Sequence, residues 1–366
     1  MSKLISVNRV HLAELLGKGG FGRVYAGVVS PQGDVAVKVI DCESTADMLG
    51  LDDWEELRDY LFAEGERLSE AEHANVVRVF SVGYNDSRSQ VYIVVERCDR
   101  ALIHECRQGP APLATAKTAI AHSLRGLEAL HLRGMVHRDI KPGNILVKGS
   151  VYKIGDFGLV TDNLIHGYAS RQGYTEHLAP EVFEVGVTSP ATDVWAMGIT
   201  AFRVLNGEPW YEETLNAMGI DRSDFVDTAH RLEEIVTSGR FSARLRWMPH
   251  VPKSWRRLVN KALHVEPSKR YRDGGQMLSA MSSLDVPDSP SWACAYSDDR
   301  IVWMRRTGDR EELVEWQRHA PNKNEFVAFT RPVGLTGKRF TLARSKGILS
   351  KASVLEELQN FFKTRS

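Results

Sequence analysis

Four glycines, Gly17, Gly19, Gly20 and Gly22, stand in the run Gly17-Lys18-Gly19-Gly20-Phe21-Gly22-Arg23-Val24, where backbone amides could approach phosphates without side-chain obstruction. A glycine-rich hairpin turn accounts for the same residues with no ligand at all. A helix-opening dinucleotide fingerprint fits poorly, because Val24-Tyr25-Ala26-Gly27-Val28-Val29 continues as a strand. Lys38 lies alone in Ala36-Val37-Lys38-Val39, and an ammonium in a β-branched apolar strand is costly unless it meets an anion. Glu64 and Glu66 are acids of a helical segment that could supply one, although an isolated helix glutamate is ordinarily a solvated surface group. The densest set is His137-Arg138-Asp139-Ile140-Lys141-Pro142-Gly143-Asn144, followed by Asp156-Phe157-Gly158. Each of its acids, taken alone, also reads as a turn or cap residue.

The elements that must hold these groups divide the chain in two. Alternating or β-branched runs at Val7 to Leu16, Val24 to Val29, Val35 to Ile40, Val76 to Val82 and Val91 to Val95 predict strands, interrupted by one helix over about Leu51 to Ala71. From about Leu113 helical spacing takes over, with Ile120, Leu124, Leu127 and Leu130 recurring and Gly134 ending the run. Ser282 to Ser291 is poor in apolar residues and holds two prolines, so a linker is expected with a boundary near residue 286. Beyond it, Arg300 to Met304, Glu325 to Thr330 and Lys338 to Ala343 resemble strands, while Glu311 to His319 and Lys351 to Lys363 resemble helices. The expected architecture is α+β: a strand-rich lobe over 1–97, a helical lobe over 98–285, and a small α+β extension within 286–366.

In this order and spacing the motifs GxGxxGxV at Gly17, AVK at Lys38, HRDxKxxN at His137, DFG at Asp156 and APE at Ala179-Pro180-Glu181 resemble the Hanks-type serine/threonine protein kinases, over about residues 10 to 284. That resemblance implies a bilobal kinase fold, ATP and Mg²⁺ as cofactors, and protein hydroxyls as acceptors. Phosphoryl transfer needs charge neutralisation and in-line positioning more than covalent chemistry, which gives each residue a job. By the resemblance Lys38 would hold the α and β phosphates and pair with Glu64, leaving Glu66 the lesser candidate. Asp139 would orient the substrate hydroxyl and accept its proton, Lys141 would steady the transferred group, and Asn144 and Asp156 would chelate magnesium, a hard ion suited to oxygen donors. Val24, Ala36 and Leu146 would sandwich adenine, and Glu96 and Cys98 would meet it through backbone atoms, with Val95 at the back of the pocket. Without the motifs those apolar residues read simply as core. Arg270 would pair with Glu181, Asp193 would support the backbone around Arg138, and Leu68, Val79, His137 and Phe157 would stack across the lobes.

Lys141, two places after Asp139, favours serine or threonine as acceptor within this resemblance, and the HGDxHxxN pattern of small-molecule antibiotic kinases is absent. Arg138 before Asp139 is the arrangement in which a phosphate on the following segment can order the site, with Ser170 and Thr175 as autophosphorylation candidates. Two positions depart from the family pattern: Tyr174 stands where a threonine is usual, with Thr175 one place on, and His177 replaces a common tyrosine.

The chain of 366 residues carries 47 basic and 47 acidic side chains, so it has no net field for nucleic acid or a membrane surface. Arg305, Arg306, Lys338, Arg339, Arg344 and Lys346 lie near aromatic residues in the C-terminal part, but Glu311, Glu312 and Glu315 dilute any nucleic-acid patch there. Cys42, Cys98, Cys106 and Cys294 show no metal-ligand spacing, and no run of about 18 apolar residues occurs, which fits a soluble cytoplasmic protein. Protein substrates are the expected partners, and residues 288–366 are where a further partner would dock. A pseudokinase scaffold, keeping the fold without turnover, stays open as the alternative.

Overall fold

A computed structural model of the chain describes residues 6–7, 10–19, 22–85, 87–156, 176–284, 292–320, 322–334 and 339–365. Its N-terminal part is an antiparallel sheet of six strands in the order β1-β2-β3-β4-β6-β5, comprising Ser6–Val7, Val10–Gly19, Gly22–Val29, Gly33–Asp41, Gln90–Glu96 and Val79–Tyr84 in that spatial order. The β-branched runs end up here because both strand faces are covered in the middle of the sheet: Val35, Val37, Val91 and Val94 are all buried. Gly22 is fixed by packing, since a Cβ there would lie 2.4 Å from the Val39 carbonyl oxygen of the neighbouring strand, whereas one on Gly17 would meet nothing within 4 Å.

The helix expected over about Leu51 to Ala71 is present, and a second one that was not expected precedes it. α1 (Cys42–Leu49) ends at Gly50 in a left-handed conformation, and α2 (Trp54–Ser69) starts with Asp53 accepting from the N–H groups of Glu55 and Glu56. The Gly50 to Asp53 segment is thus a cap followed by a cap. α2 packs on β5, with Leu57, Leu61 and Leu68 buried.

The second lobe opens with a three-stranded sheet of β7 (Arg100–Ala101), β8 (Ile145–Lys148) and β9 (Val151–Ile154) and the short α3 (Ile103–Cys106). Around it pack α4 (Leu113–His131), α5 (Pro180–Val185), α6 (Pro190–Asn206), α7 (Glu208–Ala217), α8 (Phe225–Thr237), α9 (Phe241–Arg244), α10 (Lys253–Ala262) and α11 (Gly274–Ser282). α6 is the hub: every residue from Thr192 to Asn206 is buried, so it is enclosed on all sides, and its few charged groups, Asp193 and Arg203, have to find partners inside the lobe. It hands over to α7 at Gly207, where φ is 83° and a Cβ would sit 2.4 Å from the Gly109 carbonyl carbon. The pair expected of Arg270 is present: its guanidinium grips Glu181 at 2.7 Å through both terminal nitrogens and stacks on Trp195 at 4.9 Å.

The C-terminal part is a meander of five antiparallel strands, β10 (Ala293–Tyr296), β11 (Arg300–Thr307), β12 (Arg310–Ala320), β13 (Lys323–Pro332) and β14 (Phe340–Arg344), closed by α12 (Lys351–Lys363). Here one expectation is overturned, because Glu311 to His319 is strand and not helix. Helix-favouring Glu, Gln and Arg lose to pairing: Val314 and Trp316 face inward opposite Trp303 and Ile301, and the acids are met across the sheet, Glu315 by Arg300 at 2.7 Å and Glu311 by Arg331 at 2.9 Å. The expected linker falls mostly on residues outside those described. The module itself is not set apart, for Trp303, Trp316 and Phe362 belong to the same buried cluster as Trp195 and Trp210 of the helical lobe.

His250 is part of that junction. Its Nδ1 accepts from the Trp303 indole N–H at 3.0 Å, and burial, with Arg256 adding to it, pushes its pKa down to about 3. The imidazole is therefore neutral when folded but takes a proton near pH 6.5 when unfolded, so its contribution is complete above that value and is lost as pH falls toward 3. Thermal unfolding between pH 7 and pH 5 should accordingly show a smaller drop in midpoint for His250→Gln, which keeps an acceptor for the indole but cannot titrate, than for the unmodified chain.

Candidate active site

The segment that carries Asp139 is held from below by one carboxylate. Asp193, near the start of α6, is almost wholly buried and accepts the backbone N–H of His137 at 2.7 Å and of Arg138 at 2.8 Å. Arg138 sits at φ 70°, a conformation a non-glycine residue adopts only when its surroundings impose it. His131 of α4 completes the arrangement: its Nδ1 accepts the Gly274 N–H at 3.2 Å, which leaves Nε2 as the donor to Asp193 at 2.9 Å. Burial alone would raise the Asp193 pKa, but His131, and His137 with its backbone N–H, outweigh it and hold the carboxyl below its usual range. Nothing in the motif pointed to His131, which lies outside it in sequence.

His137 is likewise fixed as a neutral ring. Its Nδ1 accepts the Asp139 N–H at 3.2 Å and its Nε2 lies 3.1 Å from the Gly155 carbonyl, so the proton is on Nε2. Desolvation keeps its pKa below the usual value despite the nearby acids. One imidazole thus ties the Asp139 segment to the residue before Asp156. Leu68, Val79 and His137 are all buried, while Phe157, their expected stacking partner, lies outside the described residues.

Above this base the reactive groups converge. Asp139 Oδ2 accepts from Lys141 Nζ at 2.8 Å and from Asn144 Nδ2 at 2.7 Å, and the same amide nitrogen donates to the Asp139 carbonyl at 2.8 Å. The Gly155 N–H bonds the Asn144 carbonyl at 2.9 Å, setting Asp156 beside Asn144. Asp156, at φ 52°, receives the ammonium of Lys38 from β4. Desolvation pushes its pKa up, but Lys38, with help from Lys141, takes it below the ordinary value. Five groups from three distant stretches, Lys38, Asp139, Lys141, Asn144 and Asp156, therefore form one charged locus between the two lobes.

Glu64 does not join it as expected. It is buried on α2 and meets Arg67 at 3.4 Å, while Lys38 pairs with the carboxylate of Asp156. Glu96 also differs from a residue acting through its backbone alone. Its N–H is committed to the Arg78 carbonyl at 2.9 Å, and its buried carboxylate binds Lys153 at 2.7 Å, Lys148 at 3.1 Å and the Arg78 N–H at 2.8 Å. Burial would raise its pKa, yet these donors lower it, and the result is an ionic tie from the edge of β6 to the β8–β9 hairpin. Cys98 follows directly, its thiol pushed up to about 11 by burial. Val24 faces Lys38 across the sheet, Ala36 is buried beside Val95, and Leu146 lies within 3.3 Å of where a Gly155 Cβ would be. Gly20, Ser170, Tyr174 and Thr175 are outside the described residues.

His177, one of the two departures, is half-buried between Ala196 and Arg203, whose guanidinium donates to its Nε2 at 2.8 Å. Burial, then Arg203 and Lys141, hold its pKa well below the usual value, so it is a neutral acceptor. Beside it, Glu176 is bridged twice by Arg222 at 2.6 and 2.7 Å.

Comparison with known proteins agrees with this geometry. A model of the family described as protein kinase domain matches residues 10–281. The Arabidopsis thaliana MAP3K epsilon protein kinase 1 is 31% identical over 56% of this chain and 15% of its own length. A Dictyostelium discoideum serine/threonine-protein kinase, dst1, is 34% identical over 54% of this chain and 26% of its own. The chain thus spans well under half of those relatives. Among solved structures, the kinase domain of Mycobacterium tuberculosis PknI superposes with a TM-score of 0.53 at 19% identity, covering 77% of this chain and 98% of that one. Fold and site define a bilobal kinase scaffold, and the chain belongs to the protein kinase family.

The dependence of the site on one carboxylate is testable. Asp193→Asn should lower unfolding stability at pH 7 by on the order of 3 kcal/mol, because buried amides lose a charged acceptor. Since the folded pKa of Asp193 is depressed, its stabilisation is present above the unfolded value near 3.9 and is lost below it. The deficit of the variant, measured by urea unfolding, should therefore narrow as pH is taken from 7 toward 3.

Proposed function

We propose that this protein transfers the γ-phosphoryl group of ATP to serine or threonine hydroxyls of other proteins. The observation that carries the reading is the convergence of Lys38, Asp139, Lys141, Asn144 and Asp156 on one locus at the lobe interface. An acid beside a lysine and an amide is suited to orient a hydroxyl and take its proton, with geometry set before the substrate arrives. Lys141, already within 2.8 Å of Asp139, would follow the negative charge of the transferring group. Lys38 would exchange part of its contact with Asp156 for the nucleotide's phosphates.

The donor set fits magnesium. Asp156 supplies carboxylate oxygens, and with its nitrogen turned to Asp139 the Asn144 amide has its oxygen left for an ion, so both donors are hard. Among the described residues no group of three or more His, Cys, Asp or Glu could hold a metal alone, so the remaining ligands would come from phosphates and water. Bound there, the ion would neutralise phosphate charge. Autophosphorylation at Ser170 or Thr175 belongs to the same proposal, as does a cytoplasmic setting; no helix among the described residues is long and apolar enough to cross a membrane.

A scaffold without turnover is the competing reading, and the full set of polar groups at the locus speaks against it. Magnesium-dependent transfer of labelled phosphate to the chain itself or to myelin basic protein should fall by about two to four orders of magnitude in Asp139→Asn. Lys38→Ala should act chiefly by weakening nucleotide binding. Equal incorporation by the unmodified chain and both variants would favour the scaffold.

A further inference from the structure

The short helix α7 is gripped on two adjoining faces by two different parts of the molecule. Trp210 and Glu213 lie one turn apart on one face, Glu208 and Tyr211 on the next. Toward the C-terminal module, Trp210 packs edge-on against Trp316 at 6.1 Å with the Lys351 ammonium 5.0 Å over its ring. Glu213 accepts from Lys351 Nζ at 2.6 Å, from the Tyr296 hydroxyl and from the Arg318 guanidinium, three donors supplied by α12, β10 and β12. Toward the catalytic lobe, Glu208 takes Arg203 in a two-point bridge at 2.6 and 2.7 Å, and the Tyr211 ring lies 5.0 Å from the Arg203 guanidinium and 5.3 Å from that of Arg222.

Those two guanidiniums are the groups that hold Glu176 and His177, which belong to no strand or helix. Their place is therefore set by side-chain contacts and not by a backbone ladder. A ten-residue helix such as α7 has little stability of its own, so its orientation comes from what packs on it. The Lys38–Asp156 pair and the Asn144–Asp139 bonds stand outside this series of contacts.

We propose that the C-terminal module is a built-in positioning element for the protein-substrate side of the site: by clamping α7 through Trp316, Arg318 and Lys351, it sets Arg203 and Arg222, which in turn place Glu176 and His177 in the segment that follows Asp156. The proposal rests on the kinase reading for its kinetic consequence, but not for its structural one. It gives residues 292–365 a role in acceptor binding and none in nucleotide binding.

The test uses the full chain with Trp316→Ala, Glu213→Gln, and the conservative Glu213→Asp, together with Lys351→Met as a milder variant that leaves two donors in place. Amide hydrogen exchange should speed up roughly fivefold or more over residues 176–183 in Trp316→Ala and Glu213→Gln, with residues 137–156 unchanged. With myelin basic protein as acceptor, its KM should rise by a similar factor while the KM for ATP stays within about twofold, a split that a general loss of folded enzyme would not produce. Glu213→Asp should restore both readouts, and Lys351→Met should move them less in the same direction. Unchanged exchange at 176–183, a parallel rise in both KM values, or a Glu213→Asp variant as defective as Glu213→Gln would each overturn the proposal. Accelerated exchange at 176–183 in a protein that shows no ATP-dependent transfer would support the clamp and overturn the kinase reading instead.

Discussion

Removing a carboxylate from water is costly, and Asp193 is buried with its charge kept, so the surrounding donors have to be placed to answer it. They are the amides of His137 and Arg138 and the ring of His131, and answering Asp193 forces Arg138 into positive φ. The turn that results points Asp139 upward toward Lys141 and Asn144 and leaves the His137 ring free to bond the Gly155 carbonyl. The Asp139 segment thus takes its shape from a group that lies beneath it, outside the charged locus. α6, buried along most of its length, is the rigid body from which that group projects.

Other ionic ties repeat the same logic at the borders between parts. Glu96 with Lys153 and Lys148 joins the sheet lobe to the β8–β9 hairpin, Arg270 with Glu181 joins the segment after the site to the loop before α11, and Glu213 with its three donors joins the helical lobe to the C-terminal module. In each, one side chain satisfies several partners, so the desolvation cost of burying a charge is offset by more than a single bond. The apolar contacts set how close the parts come, and the ion pairs set the register in which they meet.

The C-terminal module changes how the chain is viewed as a whole. Its strands carry charge in plenty, which from the sequence suggests a small solvated unit, but the inward residues Ile301, Trp303, Val314, Trp316 and Phe326 are all buried. Trp316 and Trp303 reach the helical lobe directly, at Trp210 and His250. The extension and the lobe share one core, so the two are energetically coupled.

What the sequence by itself determined was local or tied to fixed spacing: the strand runs that became β3, β4 and β6, the α12 helix, and the identity of the polar groups at the site. Alternation of β-branched residues and the order of short motifs survive in any register of folding, so they can be read without coordinates. Only the tertiary structure decided which acid Lys38 meets, because Glu64 and Asp156 are both distant in sequence and the choice depends on where α2 sits against β4. The strand at Arg310–Ala320 was decided the same way. Its own residues favour a helix, and the cross-strand partners that reverse that preference, Trp303, Ile301, Arg300 and Arg331, come from two other strands. The roles of His131 and of the α7 clamp were invisible for a related reason: both act through contacts between segments far apart along the chain, and pairwise proximity of that kind is a property of the folded chain alone.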